Sequence, residues 1–399
     1  MTMTTQDRID GVDALRGFAL LGILLVNIMA FASAFYGLEL PDPSFDTGLD
    51  RAVHFAVALF FEMKFYLLFS FLFGYSFTLQ MRSAEKAGDA FVPRLLRRQA
   101  GLWLIGLTHA VLLFHGDILT TYAVLGIALM MLRTRSDASL WRLARLLVIS
   151  TALAWFALGV AAVLEPPVLE RYAIIAAAAA TEAAFRGDWQ SIIGQHLTEL
   201  SSVWVILGLL QAPSALAMFL VGLIAGRRQI LSRPQENRAL FRWLVRLGLF
   251  VGLPGAVIYA YTIVQMADSP QAITGLAVGL LTAPFLTGAY VGAMMLFLDS
   301  AAGRWLRNLL APAGRTALSN YLLQSLICAL IFHGYGFGLI GHISPLETVS
   351  MALVVYAAQL VLSRWWLQRF AYGPLEWLLR LITIWRVPQW RNLASADRR

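Results

Sequence analysis

The chain has 399 residues, of which 59% are hydrophobic and 14% charged, and its mean hydropathy is +0.69. Soluble domains carry about 25% charged residues, so this composition excludes an ordinary soluble globular protein. The formal net charge of +8 comes mainly from arginines that flank apolar segments. That placement indicates membrane topology, and we expect no nucleic-acid partner.

Ten apolar segments follow one another along the chain, and a membrane-spanning helix needs about 20 mostly apolar residues. They lie at residues 14–35, 55–81, 98–116, 118–133, 143–164, 203–225, 241–265, 273–298, 316–337 and 348–370. The predicted fold class is therefore all-α, a polytopic transmembrane helix bundle of about ten spans.

The basic residues predict how these spans are oriented. When the connecting loops are assigned alternately to the two sides, all of the 31 lysines and arginines except Arg51, Lys64, Arg171 and Arg186 fall on one side. Positively charged loops stay in the cytoplasm, so both termini are predicted to be cytoplasmic. Membrane lipids are then partners by location, and an oligomer is compatible with the sequence.

We interpret residues 1–399 as one transmembrane domain with four parts. Residues 14–164 form an N-terminal five-helix part, and 203–370 form a C-terminal five-helix part. Between them, the outer-face loop 165–202 contains AIIAAAAATEAAF, which favours short helices. In the tail 371–399, PLEWLLRLITIW is typical of a helix lying along the inner membrane interface.

The third span and its exit read THAVLLFHGD, which contains His109, His115 and Asp117. Histidine titrates near neutrality and can act as a general base, and an aspartate can orient its ring. These three are the candidate catalytic residues, with His109 first because it lies deepest in the span. The two histidines do not share a helix face, as metal ligands four residues apart would. The single cysteine, Cys328, excludes an intramolecular disulfide and any Cys-based zinc or iron–sulfur site, so no metal site is predicted.

Several polar residues inside or beside spans are candidates for binding a donor or substrate. Such residues are costly in a membrane and are often functional, but each also has a structural interpretation. Arg16 could be a topological anchor, Asn27 could join helices, and Lys64 could bind an anion or extend to the outer headgroups. The other candidates are Arg97, Arg98, Arg315, Asn320 and Gln324, of which the last two form a polar stripe that could line a cavity or join helices.

Several segments carry a family resemblance. RIDGVDALRGFALLGILLVNIMAF, GLTHAVLLFHGDIL, GRTALSNYLLQS and YGPLEWLLR together resemble the YeiB-type bacterial membrane family, whose function is undefined. This resemblance implies a multi-pass protein of the bacterial inner (plasma) membrane.

More remotely, the first span is similar to the acyltransferase-3 and heparan-glucosaminide acetyltransferase groups of transmembrane acyltransferases, which implies an acyltransferase-like core at 14–164. Acyltransferase-3 proteins have a histidine where this chain has Asn27. The region FASAFYGLEL also lacks the catalytic histidine of the heparan-glucosaminide group. Under this resemblance His109 is left as the base.

Two functions with turnover therefore remain open, beside a third possibility, a lipid-binding or scaffolding protein with no turnover. The first is an enzyme that transfers an acyl group from a cytoplasmic donor to an acceptor at the outer face. Its arginines would hold acyl-CoA, and no other cofactor is firmly implied. The second is a proton-coupled transporter or exporter of a small solute, with the histidines and Lys64 as relay and binding site. In either case the expected partner is a small-molecule or lipid-linked substrate.

Overall fold

The computed structural model describes residues 10–38, 40–165 and 171–391. Sixteen α-helices and no β-strand lie in this part of the chain, so the predicted all-α bundle is confirmed. The helices are α1 Asp10–Ala32, α2 Gly48–Phe60, α3 Lys64–Lys86, α4 Phe91–Leu112, α5 Leu119–Leu132, α6 Asp137–Leu164, α7 Arg171–Phe185, α8 Trp189–Ile206, α9 Ala212–Arg227, α10 Arg238–Leu247, α11 Leu253–Gln265, α12 Gln271–Leu298, α13 Arg304–Arg315, α14 Ala317–Phe332, α15 Pro345–Arg369 and α16 Pro374–Ile384.

Among the described residues, seven helical stretches are long and apolar enough to cross a membrane, or eight when the bent pair α13–α14 counts as one span. Helix α5 is apolar but has only 14 residues. The bundle also leaves large apolar side chains exposed, including Phe250, Met131 and Val354. Water would disfavour such a surface and lipid would not. The chain is a helical membrane protein, while ten spans and cytoplasmic termini stay predictions.

Several predicted segments have different ends in the structure. The 98–116 segment is helical only to Leu112, because the chain turns there before α5 begins. The 55–81 segment is interrupted between Phe60 and Lys64, where Met63 has a φ of 64°. The predicted outer loop 165–202 contains α7 and most of α8, but residues 166–170 and the tail beyond Arg391 lie outside the described residues.

Helix α1 lies inside the bundle, with most of its side chains buried. It packs backbone against backbone on α13 through two glycines. A Cβ atom on Gly314 would lie 1.7 Å from the Asp13 carbonyl oxygen, and one on Gly17 would lie 2.3 Å from the Leu310 carbonyl oxygen. Only glycine permits this approach, which fixes the part of α1 that carries Asp13 and Arg16 against the end of α13.

Helices α13 and α14 form a continuous apolar stretch that bends by 78° at Thr316. The bend leaves the first amides of α14 without intrahelical partners, as at any helix start. Glu376 on α16 supplies an acceptor: its carboxylate accepts hydrogen bonds from the backbone N–H groups of Leu318 at 2.7 Å and Ser319 at 3.2 Å. Helix α16 is thereby attached to the bundle, where it also packs on α4.

One end of the bundle is rich in arginine, and we call it the basic end. There α4 and α14 begin and α3 and α15 end, with Arg94, Arg98, Arg315 and Arg369. The opposite end is where α1 and α4 end.

Candidate functional site

Three buried side chains form a continuous hydrogen-bonded chain. The Nδ1 atom of His109 lies 2.8 Å from Oδ1 of Asp117, and its Nε2 atom lies 2.8 Å from Oγ of Ser325. The side chains of His109 and Asp117 have no exposed surface, and Ser325 is 2% exposed. A carboxylate can only accept, so Nδ1 carries the proton toward Asp117, and Nε2 is left to accept from the serine hydroxyl.

The local structure explains how this chain assembles. His109 lies in the last turn of α4, and Asp117 lies in the turn that leads to α5. The second oxygen of Asp117 accepts a 2.8 Å hydrogen bond from the Thr120 backbone N–H, which fixes the carboxylate. Gly106, one helical turn before His109, provides the space: a Cβ there would lie 2.9 Å from Oδ2 of Asp117. We refer to Asp117, His109 and Ser325 as the triad.

Tyr321 connects the triad to helix α1. Its ring centroid lies 5.1 Å from that of His109, one turn before Ser325 on α14. Its hydroxyl lies near the side chain of Asn27 and the backbone of Ile118. Tyr321 thus lies between Asn27 and the triad.

A cavity of about 420 Å³ opens beside Tyr321 and extends toward the basic end. Ile118, Leu119, Tyr122 and Tyr321 line it next to the triad, with Ile23, Phe69 and Phe73 along its apolar wall. Charged side chains line the remainder: Asp13, Arg16, Arg94, Arg98, Arg315, Glu376 and Arg380. The cavity is therefore amphipathic and would suit an anionic molecule with an apolar or uncharged arm.

Two of the predicted arginines are held differently in this cavity. Arg16 is fixed on both sides: its Nη1 lies 2.6 Å from Oδ1 of Asp13, and its Nη2 lies 2.6 Å from Oγ of Ser76. The Nε atom of Arg98 is buried and has no hydrogen-bond partner within the described residues. A buried donor without a partner is costly, and a ligand anion in the cavity would satisfy it.

A second, larger recess of about 1220 Å³ adjoins the cavity at the basic end. Arg94, Ser83 and Arg380 line both spaces, so they are continuous. The recess adds Arg82, Lys86, Arg97, Arg307 and Arg386, against the carboxylates Asp10, Asp89 and Asp299. The side chain of Arg97 also donates from Nε to the Thr383 carbonyl at 3.1 Å, which ties α4 to α16. A polyanionic head group fits this recess better than it fits the cavity.

Burial raises the pKa of Glu376, which lies between the cavity and α14, and the hydrogen bonds from Ser319 and the backbone of Leu318 oppose this shift. The carboxyl group therefore accepts hydrogen bonds from the start of α14 at a buried position, where its negative charge is costly.

Other predicted residues lie away from the triad. Lys64 is 1% exposed and does not reach the surface: its Nζ donates to the Ala58 carbonyl at 2.7 Å and lies 5.3 Å from the Tyr259 ring centroid. Asn320 and Gln324 face α15, where they bond to Ser363 and Gln359 at 2.8 Å each. The helix-joining interpretation of these two therefore has direct support.

His115 belongs to a separate aromatic cluster at the opposite end. Its Nδ1 lies 3.4 Å from Nδ1 of His196 on α8, and the ring of His333 lies 5.4 Å from that of His196. Phe185 stacks on His333 at 4.9 Å. Within the described residues, no group of three or more His, Cys, Asp or Glu side chains is arranged to hold a metal ion.

Sequence reasoning did not single out Ser325, Tyr321 or Glu376. A signal for the first two was present: Tyr321 and Ser325 are four residues apart and share a helix face, beside the stripe formed by Asn320 and Gln324. Nothing in the sequence indicated which face would meet His109, since that contact joins residues 216 positions apart.

The fold and this site define a polytopic helical membrane protein with a buried Asp–His–Ser chain beside an amphipathic cavity. Residues 225–386 match the family described as Protein of unknown function (DUF418). The chain is 32% identical to the uncharacterized protein YxaH of Bacillus subtilis (strain 168), over 95% of each chain. It is 28% identical to the uncharacterized protein YeiB of Escherichia coli (strain K12), over 94% of this chain and 95% of the other.

A third relative is an uncharacterized 39.9 kDa protein from the amylase 3′ region of Bacillus acidopullulyticus, 28% identical over 95% of this chain and 94% of the other. The protein belongs to the DUF418, YeiB-type family, and the predicted resemblance is confirmed. None of these three relatives has an assigned activity in its description.

Proposed function

We propose that this protein is a membrane acyltransferase that takes an acyl group from a thioester donor at the basic end and gives it to a hydroxyl or amine. The observation that carries the proposal is the position of the buried His109–Asp117 pair beside a cavity that opens among arginines. The proposal includes a bacterial inner membrane and a cytoplasmic basic end, since acyl-CoA donors are cytoplasmic.

Each of the two connected spaces would hold one part of the acyl donor. The phosphates of a coenzyme A thioester would lie in the basic recess, where guanidinium groups bind phosphate oxygens in pairs. The uncharged pantetheine arm would extend along the cavity toward Tyr321. Arg98 would meet the ligand at the junction, because its buried Nε needs an acceptor.

The triad supplies the proton chemistry. His109 is held by Asp117 through Nδ1, and its Nε2 accepts from the Ser325 hydroxyl, which is the form that acts as a general base. It removes the proton of the attacking group as the new bond to the thioester carbonyl forms. When the C–S bond breaks, the imidazolium returns the proton to the thiolate, so the free thiol leaves.

The test measures donor binding before any acceptor is known. Acetyl-CoA is added to the purified protein, and thermal unfolding is followed by the fluorescence of its 12 tryptophans. A ligand at 100 times its Kd stabilises the folded state by about 2.7 kcal/mol. We expect this stabilisation in the wild type and its loss in Arg98→Gln.

The matched control is Arg246→Gln, which removes the same charge from an exposed position at the end of α10. It is expected to keep the wild-type response. No stabilisation of the wild type, or equal stabilisation of both variants, contradicts the proposed donor site.

Proton-coupled transport is the second candidate, and the histidine cluster favours it. His115 and His196 lie 3.4 Å apart at their Nδ1 atoms, and the ring of His333 lies 5.4 Å from that of His196. Phe114 lies between the rings of His109 and His115. Solute-dependent proton uptake into liposomes that is lost in His196→Gln, without acetyl-CoA binding, would favour a carrier over the enzyme.

A further inference from the structure

We infer that Ser325 is a nucleophile that carries the acyl group as a covalent ester between donor and acceptor. The inference rests on the proposed function and adds a defined intermediate to it. It arises from the 2.8 Å contact between Ser325 Oγ and His109 Nε2, in a chain that ends on a buried carboxylate.

A serine hydroxyl is a weak nucleophile unless a base takes its proton as it attacks. In this structure the base is already in hydrogen-bond contact with the hydroxyl, and the base is in turn oriented by a third group. Ser325 Oγ also lies 3.4 Å from the Tyr321 carbonyl, which is too far to compete strongly with the imidazole. The geometry thus meets the requirements for an activated serine.

Ser325 lies between the two ends of the bundle, which suits a residue that carries the acyl group. The donor cavity extends toward the basic end, whereas the histidine cluster and the ends of α1 and α4 lie toward the opposite end. A serine between the two can receive the acyl group from one side and release it to the other. Tyr321 stands between the cavity and Ser325, so its ring has to turn aside for the thioester to reach the hydroxyl.

The acyl group is transferred in two half-reactions. In the first, Ser325 Oγ attacks the thioester carbonyl, His109 Nε2 takes the hydroxyl proton, and the C–S bond breaks. The thiolate then takes that proton and leaves as free coenzyme A. In the second, the acceptor hydroxyl or amine attacks the serine ester, His109 removes its proton, and the C–O bond breaks so that Ser325 regains its proton.

The decisive experiment needs no acceptor. An acyl-enzyme lets isotopically labelled coenzyme A exchange into unlabelled acetyl-CoA when nothing else is present, since the first half-reaction then runs in both directions, and the adduct distinguishes this route from direct attack by the labelled thiol. We expect exchange by the wild type, and an intact mass increased by one acetyl group after an acid quench. Fragmentation is expected to place the added mass on Ser325.

Ser325→Ala and His109→Gln are expected to lower exchange by about 10²-fold or more, as in other serine nucleophile and base replacements. Ser325→Cys is expected to retain the adduct as a thioester. Ser363→Ala is the control: this serine is also buried and hydrogen-bonded to a neighbouring helix, but its partners are Asn320 and Thr316. It is expected to exchange at the wild-type rate.

Donor binding separates failure of this inference from failure of the proposed function. If acetyl-CoA stabilises the wild type but no exchange or adduct is seen, transfer is direct and the covalent role is overturned. The covalent role is also overturned if Ser325→Ala exchanges normally, or if the adduct maps to another residue. If acetyl-CoA does not bind at all, the proposed acyl transfer itself fails.

Discussion

Replacing Gly106 with alanine tests the triad without substituting any of its members. The added Cβ would lie 2.9 Å from Oδ2 of Asp117 and 2.7 Å from the backbone nitrogen of Thr120, where ordinary contacts begin at 3.4 Å. Asp117 and the start of α5 must therefore move away by at least about half an ångström. Crowding of a packed site costs about 1–3 kcal/mol, and a displacement of about 1 Å at a catalytic group can lower the rate about 10²-fold.

The control is Gly101→Ala on the same helix, where the nearest atoms are the ends of flexible side chains, at 3.1 Å for Leu379 and 3.2 Å for Ile382. Both variants are compared by tryptophan fluorescence on heating and by labelled coenzyme A exchange. We expect Gly106→Ala to unfold at a lower temperature and to lose most exchange, and Gly101→Ala to resemble the wild type. A folded Gly106→Ala protein with full exchange would show that the position of Asp117 does not matter.

Three further predictions concern residues outside the triad. Lys64→Met should change the stability by less than about 1.5 kcal/mol and leave coenzyme A exchange intact, because a buried amine with few partners is replaced by an apolar group of similar length. A large loss of exchange would instead give Lys64 a functional role. Gln359→Leu should lower the stability by about 1–3 kcal/mol by leaving the amide of Gln324 without its partner, while exchange per folded molecule stays unchanged. Burial raises the pKa of Glu182 above its ordinary 4.5, so between these two pKa values the folded state retains a proton that the unfolded state has lost. The wild type should therefore lose stability as the pH rises from 4.5 to the raised pKa. Glu182→Gln should not show that loss in thermal melts at a series of pH values.

The sequence was sufficient to predict the fold class, because membrane helices are encoded locally. Each needs an uninterrupted apolar stretch, and the arginines mark the ends of those stretches. The ends themselves were harder to predict. The apolar pattern alone does not distinguish a helix that ends at Leu112 from one that continues to residue 116. The bend at Thr316 places Glu376, 58 residues further along the chain, at the start of α14, and no local pattern indicates that contact.

The site was predicted in part for the same reason. His109 and Asp117 are eight residues apart, and their pairing could be considered from the sequence, as could the arginines beside the first, third and ninth segments. Ser325 could not be chosen, because a serine in an apolar helix commonly bonds within its own helix or to a neighbour. Its partner, His109, lies on α4, 216 positions away in the sequence.

The walls of the cavity have a consequence for how this protein could be divided. They are contributed by α1, α3 and α4 from one end of the chain and by α13, α14 and α16 from the other, with Arg98 and Glu376 among the lining side chains. Neither half, produced as a separate polypeptide, encloses this cavity, although each retains hydrophobic helices. Fragments expressed from separate genes would have to reassemble within the bilayer before the cavity could form.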